Sequence, residues 1–223
     1  MIRADAYFFD IDGTLLVTRD LVHWNALHQA MLEVYGVDTT IEGIAYHGKT
    51  DVGILRAALN RAGVPDPAFD KGLAAALAVI CREVEAHVDG IQAQVCPGIR
   101  EVLAEVQSLQ KLLGVASGNL ESVGWNKLRA AGLRDFFTLA SFGDRWEMRS
   151  AIFDQAVTAA RRSLGSGAVV CFVGDTPEDI RAARSVNAKV VAVCTGIFCS
   201  EQLSPHGPDI CCGSCTELLG KLQ

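Results

Sequence analysis

No apolar run in the 223 residues approaches the roughly 20 that a membrane-spanning helix needs, so no membrane partner is expected. Positive charge is also scarce: 20 Lys and Arg stand against 26 Asp and Glu, for a net charge of −6 and a pI near 5.3. With no basic stripe along the chain, nucleic acid is not an expected partner, and any phosphate recognition has to be local. The opening residues, MIRADAYFFD, lack the charged start, long apolar stretch and small-residue cleavage site of a secretory leader. Internal repeats, low-complexity tracts and a disordered linker are missing too. What remains is rich in core material. Half the residues are hydrophobic and 21% are charged, the profile of a soluble globular protein forming one large domain, or one domain with a substantial insertion.

Cysteine, by contrast, is plentiful at eight residues, but a chain this long and core-rich needs no disulfide framework. Cys81, Cys96, Cys171 and Cys194 sit in apolar neighbourhoods and read as small buried hydrophobes, which favours a reducing, cytoplasmic setting. ICCGSC places Cys211 beside a Cys212–Cys215 pair with the spacing of half a zinc knuckle. No second CxxC or CxxH follows, and Cys194, Cys199 and His206 would have to be gathered by the fold. A terminal strand and turn with ordinary thiols is the stronger expectation.

Residues 6 to 11 read as a first strand. From 18 to 90 the pattern is almost wholly helical. LVHWNALHQAMLEVYG ends at Gly36, DVGILRAALNRAG closes on Gly63 with Pro65 and Pro67 as breakers, and FDKGLAAALAVICREVEAHV is a third helix. After Pro97 helices alternate with apolar strands: LLGVAS, FFTLAS, AVVCFVG and KVVAVCT are separated by GIREVLAEVQSLQ, ESVGWNKLRAAG, a helix over about 150–164 and PEDIRAARSV. Continuous apolar strands between such helices predict a parallel sheet covered on both faces, an α/β domain interrupted after its first strand by a helical insertion.

Open parallel sheets present their functional groups at the carboxyl ends of strands. Those ends carry Asp10 and Asp12, then Ser117, then Asp175. Two residues apart on a strand, Asp10 and Asp12 are expected to project together, which requires a cation between them or a proton on one.

DIDGTL (10–15), VASGN (115–119), a later basic residue and GDTPED (174–179) resemble, in order, the four motifs of the haloacid dehalogenase-like superfamily. The helical block resembles the mobile cap of the subfamily that contains phosphoglycolate phosphatase and β-phosphoglucomutase. The resemblance implies a doubly wound, Rossmann-like parallel-sheet core over 1–17 and 92–223, with an inserted α-helical cap over 18–91. It implies a Mg²⁺-dependent phosphatase acting on a small phosphorylated metabolite. Asp10 would be the nucleophile that forms an aspartyl-phosphate, and Asp12 the acid and base. Mg²⁺ would be held by Asp10, Asp175 and the backbone carbonyl of Asp12, with Asp179 behind them. Ser117 and the amides of Gly118 and Asn119 would hold the phosphate oxygens.

The third motif is usually a lysine, yet none lies between Lys127 and Lys189. Arg149, just ahead of the FDQAV helix, takes the expected place and would pair bidentately with phosphate; Arg145 and Lys127 are the other candidates. In the cap, YHGKTD offers His47 and Lys49 to the substrate, while Trp24 reads as cap core and His23 remains open between core and site. Joints near 16–20 and 88–97 would let the cap close. Haloacid dehalogenases proper do not place an aspartate two residues after the nucleophile, so Asp12 and Asp175 favour phosphoryl transfer. A phosphosugar mutase uses the same motifs and is the nearest alternative. A non-enzymatic phospho-acceptor module is the alternative from another class. Neither substrate identity nor oligomeric state is readable.

Overall fold

The computed structural model describes residues 1–223. Its centre is a parallel six-stranded sheet built from β1 (Ala6–Phe9), β4 (Leu112–Ala116), β5 (Leu139–Ser141), β6 (Val170–Gly174), β7 (Lys189–Val193) and β8 (Ile210–Cys212). The strand order is β5-β4-β1-β6-β7-β8. After β1 the chain builds outward through β4 and β5, then crosses to the other side for β6, β7 and β8. The order reverses at β1, and that reversal opens a crevice at the strands' carboxyl ends.

All four residues of β1 are buried, because each face of the sheet meets helices. Tyr7 and Phe9 pack with Val115, Val173 and Val191 against α4 (Ile99–Ser108) and α5 (Glu121–Ala130). Ala6 and Phe8 turn the other way, onto α6 (Arg149–Leu164) and α7 (Pro177–Ser185). Phe153 of α6 stacks on Phe172 of β6 at 3.8 Å between centroids, and Phe8 completes that layer.

Residues between β1 and β4 supply the helices α1 (Val22–Tyr35), α2 (Asp51–Arg61) and α3 (Asp66–Ala86). They share a separate apolar cluster of Leu27, Met31, Leu55, Leu59, Phe69 and Ile80, which extends onto Leu120 and Val123 beside α5. Gly36 ends α1 in the left-handed conformation, as its position predicts. Pro67 does not break the chain as expected; it lies in the first turn of α3, where its missing N–H costs nothing. A two-stranded antiparallel ribbon, β2 (Leu16–Thr18) with β3 (Ala93–Val95), joins this block to the sheet. No helix is long and apolar enough to cross a membrane. All eight cysteines are free thiols, and Cys212 and Cys215 are buried.

Candidate active site

β1 stops at Phe9, so Asp10 is the first residue past the central strand, with its amide still bonded to Val173 O at 2.9 Å. Ile11 then turns into the core, fully buried. Asp10 and Asp12, on either side of it, both reach the crevice at the strand end, as the alternation predicts. Within that crevice each carboxylate meets a different cation, Arg149 for Asp10 and Lys127 for Asp12.

Asp10 faces Arg149, whose Nη2 lies 2.6 Å from Asp10 Oδ2 and 2.8 Å from Asp179 Oδ1. Arg149 is only 6% exposed. These are ionic contacts rather than aligned hydrogen bonds, and Asp10 Oδ1 is buried with no donor. Arg149 Nη1 donates to Gly48 O at 3.2 Å, so the guanidinium spans three protein groups instead of presenting the bidentate clamp on phosphate read from the sequence. Asp179 is fixed twice over, because its Oδ2 accepts from the Thr176 amide at 3.0 Å and from the Thr176 hydroxyl at 2.6 Å, as the capping box of α7.

Asp175 ends β6 and accepts from Thr14 Oγ1 at 3.0 Å. Gly13 has φ +83°, and a Cβ at Gly13 or at Gly196 would collide with the Asp175 carboxylate. One carboxylate oxygen from each of Asp10, Asp175 and Asp179 lies within 4.8 Å of the other two. Burial, with Asp179 and Asp12 adding to it against Arg149, pushes the Asp10 carboxyl up to about 6. Burial, then Asp179 and Asp10, raises Asp175 well above the carboxylate range. Hard oxygen donors, with Asp10 Oδ1 and Asp179 Oδ1 lacking a hydrogen-bond partner, and carboxylates that resist ionising beside one another fit a divalent cation of the Mg²⁺ type.

Asp12 belongs to a second group. Lys127 Nζ donates to its Oδ1 at 2.9 Å and Oδ2 at 2.8 Å, and Asn119 Nδ2 donates to Oδ2 at 2.8 Å. Burial alone would raise Asp12, but the Lys127 charge and the hydrogen bonds from Lys127 and Asn119 outweigh it and hold the carboxyl below its usual range. Asn119 Nδ2 also donates to Ser117 Oγ at 2.9 Å, leaving the Ser117 O–H free to donate, and the Gly118 amide has no backbone acceptor.

The helical block closes over this floor. The Asp51 amide donates to Gly118 O, and the Leu120 amide donates to Asp51 Oδ2, both at 2.9 Å. Thr50 Oγ1 donates to Glu147 O at 3.0 Å. A cavity of about 580 Å³ results, floored by Asp10, Asp12, Ser117 and Asp175, with His23, Trp24, Tyr46, His47 and Lys49 on its upper wall. Trp24, read as core, lies edge-on to Tyr46 and reaches the cavity. His47 packs on Tyr46 at 4.2 Å. The structure thus brings Asp10, Asp12, Ser117, Gly118, Asn119, Arg149, Asp175, His47 and Lys49 to one crevice, with Asp179 behind Arg149, whereas Arg145 is exposed and lies outside it.

Thr14, Asp51 and the side-chain role of Asn119 carried no sequence signal that was used. Lys127 did carry one. Leu120, Val123, Gly124, Lys127, Leu128 and Ala131 form a buried stripe at helical spacing, and a lysine on such a stripe needs a partner.

The family model described as haloacid dehalogenase-like hydrolase matches residues 7–193. A phosphoglycolate phosphatase of Synechococcus elongatus is 31% identical over 116 residues, covering 52% of this chain and 53% of that protein. The chain therefore spans about half the length of the curated relatives it matches. Among solved structures, CbbY of Rhodobacter sphaeroides in complex with phosphate superposes with a TM-score of 0.69 at 21% identity, covering 96% of each chain. A haloacid dehalogenase-like hydrolase of Streptococcus pneumoniae superposes at 0.66 with 20% identity, covering 98% of each. A motif set gathered at the strand ends of a doubly wound sheet and a family match over residues 7–193 agree: the chain belongs to the haloacid dehalogenase-like hydrolases.

Proposed function

We propose that this chain is a Mg²⁺-dependent phosphatase that hydrolyses a small phosphomonoester through an aspartyl-phosphate on Asp10. The observation that carries the reading is Asp10 itself, at the end of the central strand and in the cavity lining, with Oδ2 beside Arg149 and Oδ1 without a donor. A carboxylate oxygen with no donor is free to attack phosphorus, and the two-step route splits one hard displacement into two easier ones. The phosphatase match from Synechococcus elongatus supports the same chemistry.

Asp10, Asp175 and the carbonyl of Asp12 would hold the cation, with Asp179 fixing Arg149 against Asp10. A bound Mg²⁺ would neutralise these carboxylates and draw charge from the transferring phosphoryl group. Arg149 holds Oδ2 so that Oδ1 points at phosphorus. As the Oδ1–P bond forms, the ester P–O bond breaks, and Asp12 delivers a proton to the departing alkoxide. Asp12 then takes a proton from the water that attacks the phosphorus of the aspartyl-phosphate, releasing phosphate and restoring Asp10. The Ser117 hydroxyl and the amides of Gly118 and Asn119 hold the non-bridging oxygens. The helical block acts as the cap, with Lys49 and His47 facing the rest of the substrate and the β2–β3 ribbon as its joint. Free thiols throughout suit a reducing, cytoplasmic setting.

Phosphate release from phosphoglycolate, sugar phosphates, nucleotides and an aryl phosphate tests the reading, with Mg²⁺ or EDTA, for wild type and Asp10→Asn. Mg²⁺-dependent release that Asp10→Asn abolishes is the expected result. Interconversion of sugar-phosphate isomers without release would replace the phosphatase with a mutase. A stable phosphoprotein with neither activity would replace it with a phospho-acceptor.

A further inference from the structure

We propose that Lys127 is the positioning residue of Asp12, and that its hold on Asp12 extends through His23 and Asp51 to the seated helical block. This rests on the role given to Asp12 above. Lys127 is 4% exposed, and its ammonium meets Asp12, Asn119 and His23. Its ammonium has three protons to give. One is shared between the two Asp12 oxygens, one goes to Asn119 Oδ1 at 2.8 Å, and one faces His23 Nδ1 at 3.3 Å. No direction is left over, so the side chain is fixed from three sides.

The histidine's state follows from this arrangement. A ring nitrogen facing an ammonium has to be the acceptor, which puts the proton on Nε2 in the neutral ring. Nε2 lies 3.2 Å from Asp51 Oδ2, a polar contact off the hydrogen-bond axis. Asp51 is gripped in turn by the Gly118 carbonyl and the Leu120 amide, on the loop that carries Ser117 and Asn119. His23 and Asp51 come from the helical block, Lys127 and Asp12 from the sheet domain. The chain of contacts exists only while the block is seated.

A buried lysine could simply neutralise a nearby acid. Two features go beyond neutralisation. Lys127 keeps 6% of its side-chain exposure against 42% for Asp12, so the lysine is buried more deeply than the charge it faces. Lys127 and Asn119 grip each other as well as Asp12, a triangle that fixes where the carboxylate points and not only its charge. Aim is what a proton donor to a leaving oxygen requires. Arg149, which touches neither Asp12 nor Lys127, serves Asp10 and leaves this task unshared.

The test compares kcat/KM on two phosphomonoesters, nitrophenyl phosphate, whose leaving group departs without a proton, and benzyl phosphate, whose alkoxide needs one. Lys127→Met, Lys127→Gln and His23→Phe are measured beside wild type and Asp12→Asn in saturating Mg²⁺. For both Lys127 variants the loss on benzyl phosphate should exceed that on nitrophenyl phosphate by about tenfold or more, in the pattern of Asp12→Asn and within the ~10²–10⁴ that a proton donor contributes. His23→Phe should follow in the same direction by a smaller factor. Equal losses on both esters, or a loss lying wholly in KM, would overturn the proposal.

A second arm needs no turnover. In a crystal structure of Lys127→Met the Asp12 carboxylate should leave Asn119 and take another rotamer; finding it unmoved would also overturn the proposal. A wild type inactive on both esters counts against the phosphatase reading, while the crystallographic arm still decides the positioning.

Discussion

Withdrawing and restoring a divalent cation at different pH values probes the aspartate cluster directly. Burial raises Asp10 from 3.8 to about 6, and burial raises Asp175 well above its ordinary range. A carboxyl raised in the folded state contributes stability that is complete below its unfolded pKa and is lost as pH rises through the folded value. For Asp10 that window runs from 3.8 to about 6, so metal-free protein should weaken as pH climbs through it. At ~1.4 kcal/mol per pK unit, the gap is worth roughly 3 kcal/mol by neutral pH. Asp175 acts with the same sign. Asp12, held low, contributes stability that is present above 3.8 and lost only as pH falls below it, outside the window. A cation between Asp10 and Asp175 would cancel their repulsion and compete with the proton. Saturating Mg²⁺ should therefore stabilise the protein little near pH ~5 and strongly near pH ~7.5. In a domain of this size each kcal/mol moves Tm by about 2–4 °C, so relief of Asp10 alone is worth about 6–12 °C in a thermal melt. A Mg²⁺ effect equal at both pH values would refute the reasoning, as would metal-free protein that gains stability across the window.

Arg149→Met leaves Asp10 and Asp179 buried without their shared cation, and should cost about 3–5 kcal/mol in urea denaturation at neutral pH without Mg²⁺. Gly118→Ala puts a Cβ into the Lys49 carbonyl, so it should lift the 46–51 loop and raise KM severalfold in steady-state assays while urea stability changes by less than about 1 kcal/mol. Phe172→Ala removes a ring stacked on Phe153 and packed against Phe8, beneath the crevice and outside its lining. It should lose about 3–5 kcal/mol of stability while leaving KM unchanged in whatever fraction stays folded.

The parallel sheet was legible because its strands are apolar on both faces, and AYFF is buried at every position. Strand ends then marked Asp10, Ser117 and Asp175 in advance. The β2–β3 ribbon was not legible, since each strand has three residues and its partner lies more than 70 positions away in the chain. Periodicity needs longer runs than that. Lys127 as the partner of Asp12 was not legible either, because it reaches that carboxylate from 115 residues further along the chain. Arg149 was found from its position ahead of a helix, but its contact with Gly48 was not, because that residue lies 101 positions earlier in the chain.

The different partners of Asp10 and Asp12 bear on why the chemistry should need a cation at all. Without one, Asp10 is the more basic of the two, raised to about 6, while Asp12 is held below its usual range. A shared proton would then sit on Asp10, which is the wrong way round for a nucleophile and an acid. Charge neutralisation beside Asp10 pulls its carboxyl down, and an arriving phosphate dianion next to Asp12 pushes that one up. Both shifts run toward the proposed roles, and neither is available from the protein's own groups. Arg149 already neutralises one charge beside Asp10, and Lys127 alone would keep Asp12 ionised. On this view the cation and the substrate together complete a proton arrangement that the protein's own groups set in reverse. Chelation should accordingly abolish turnover even where Asp10, Asp12 and the closed helical block remain in place.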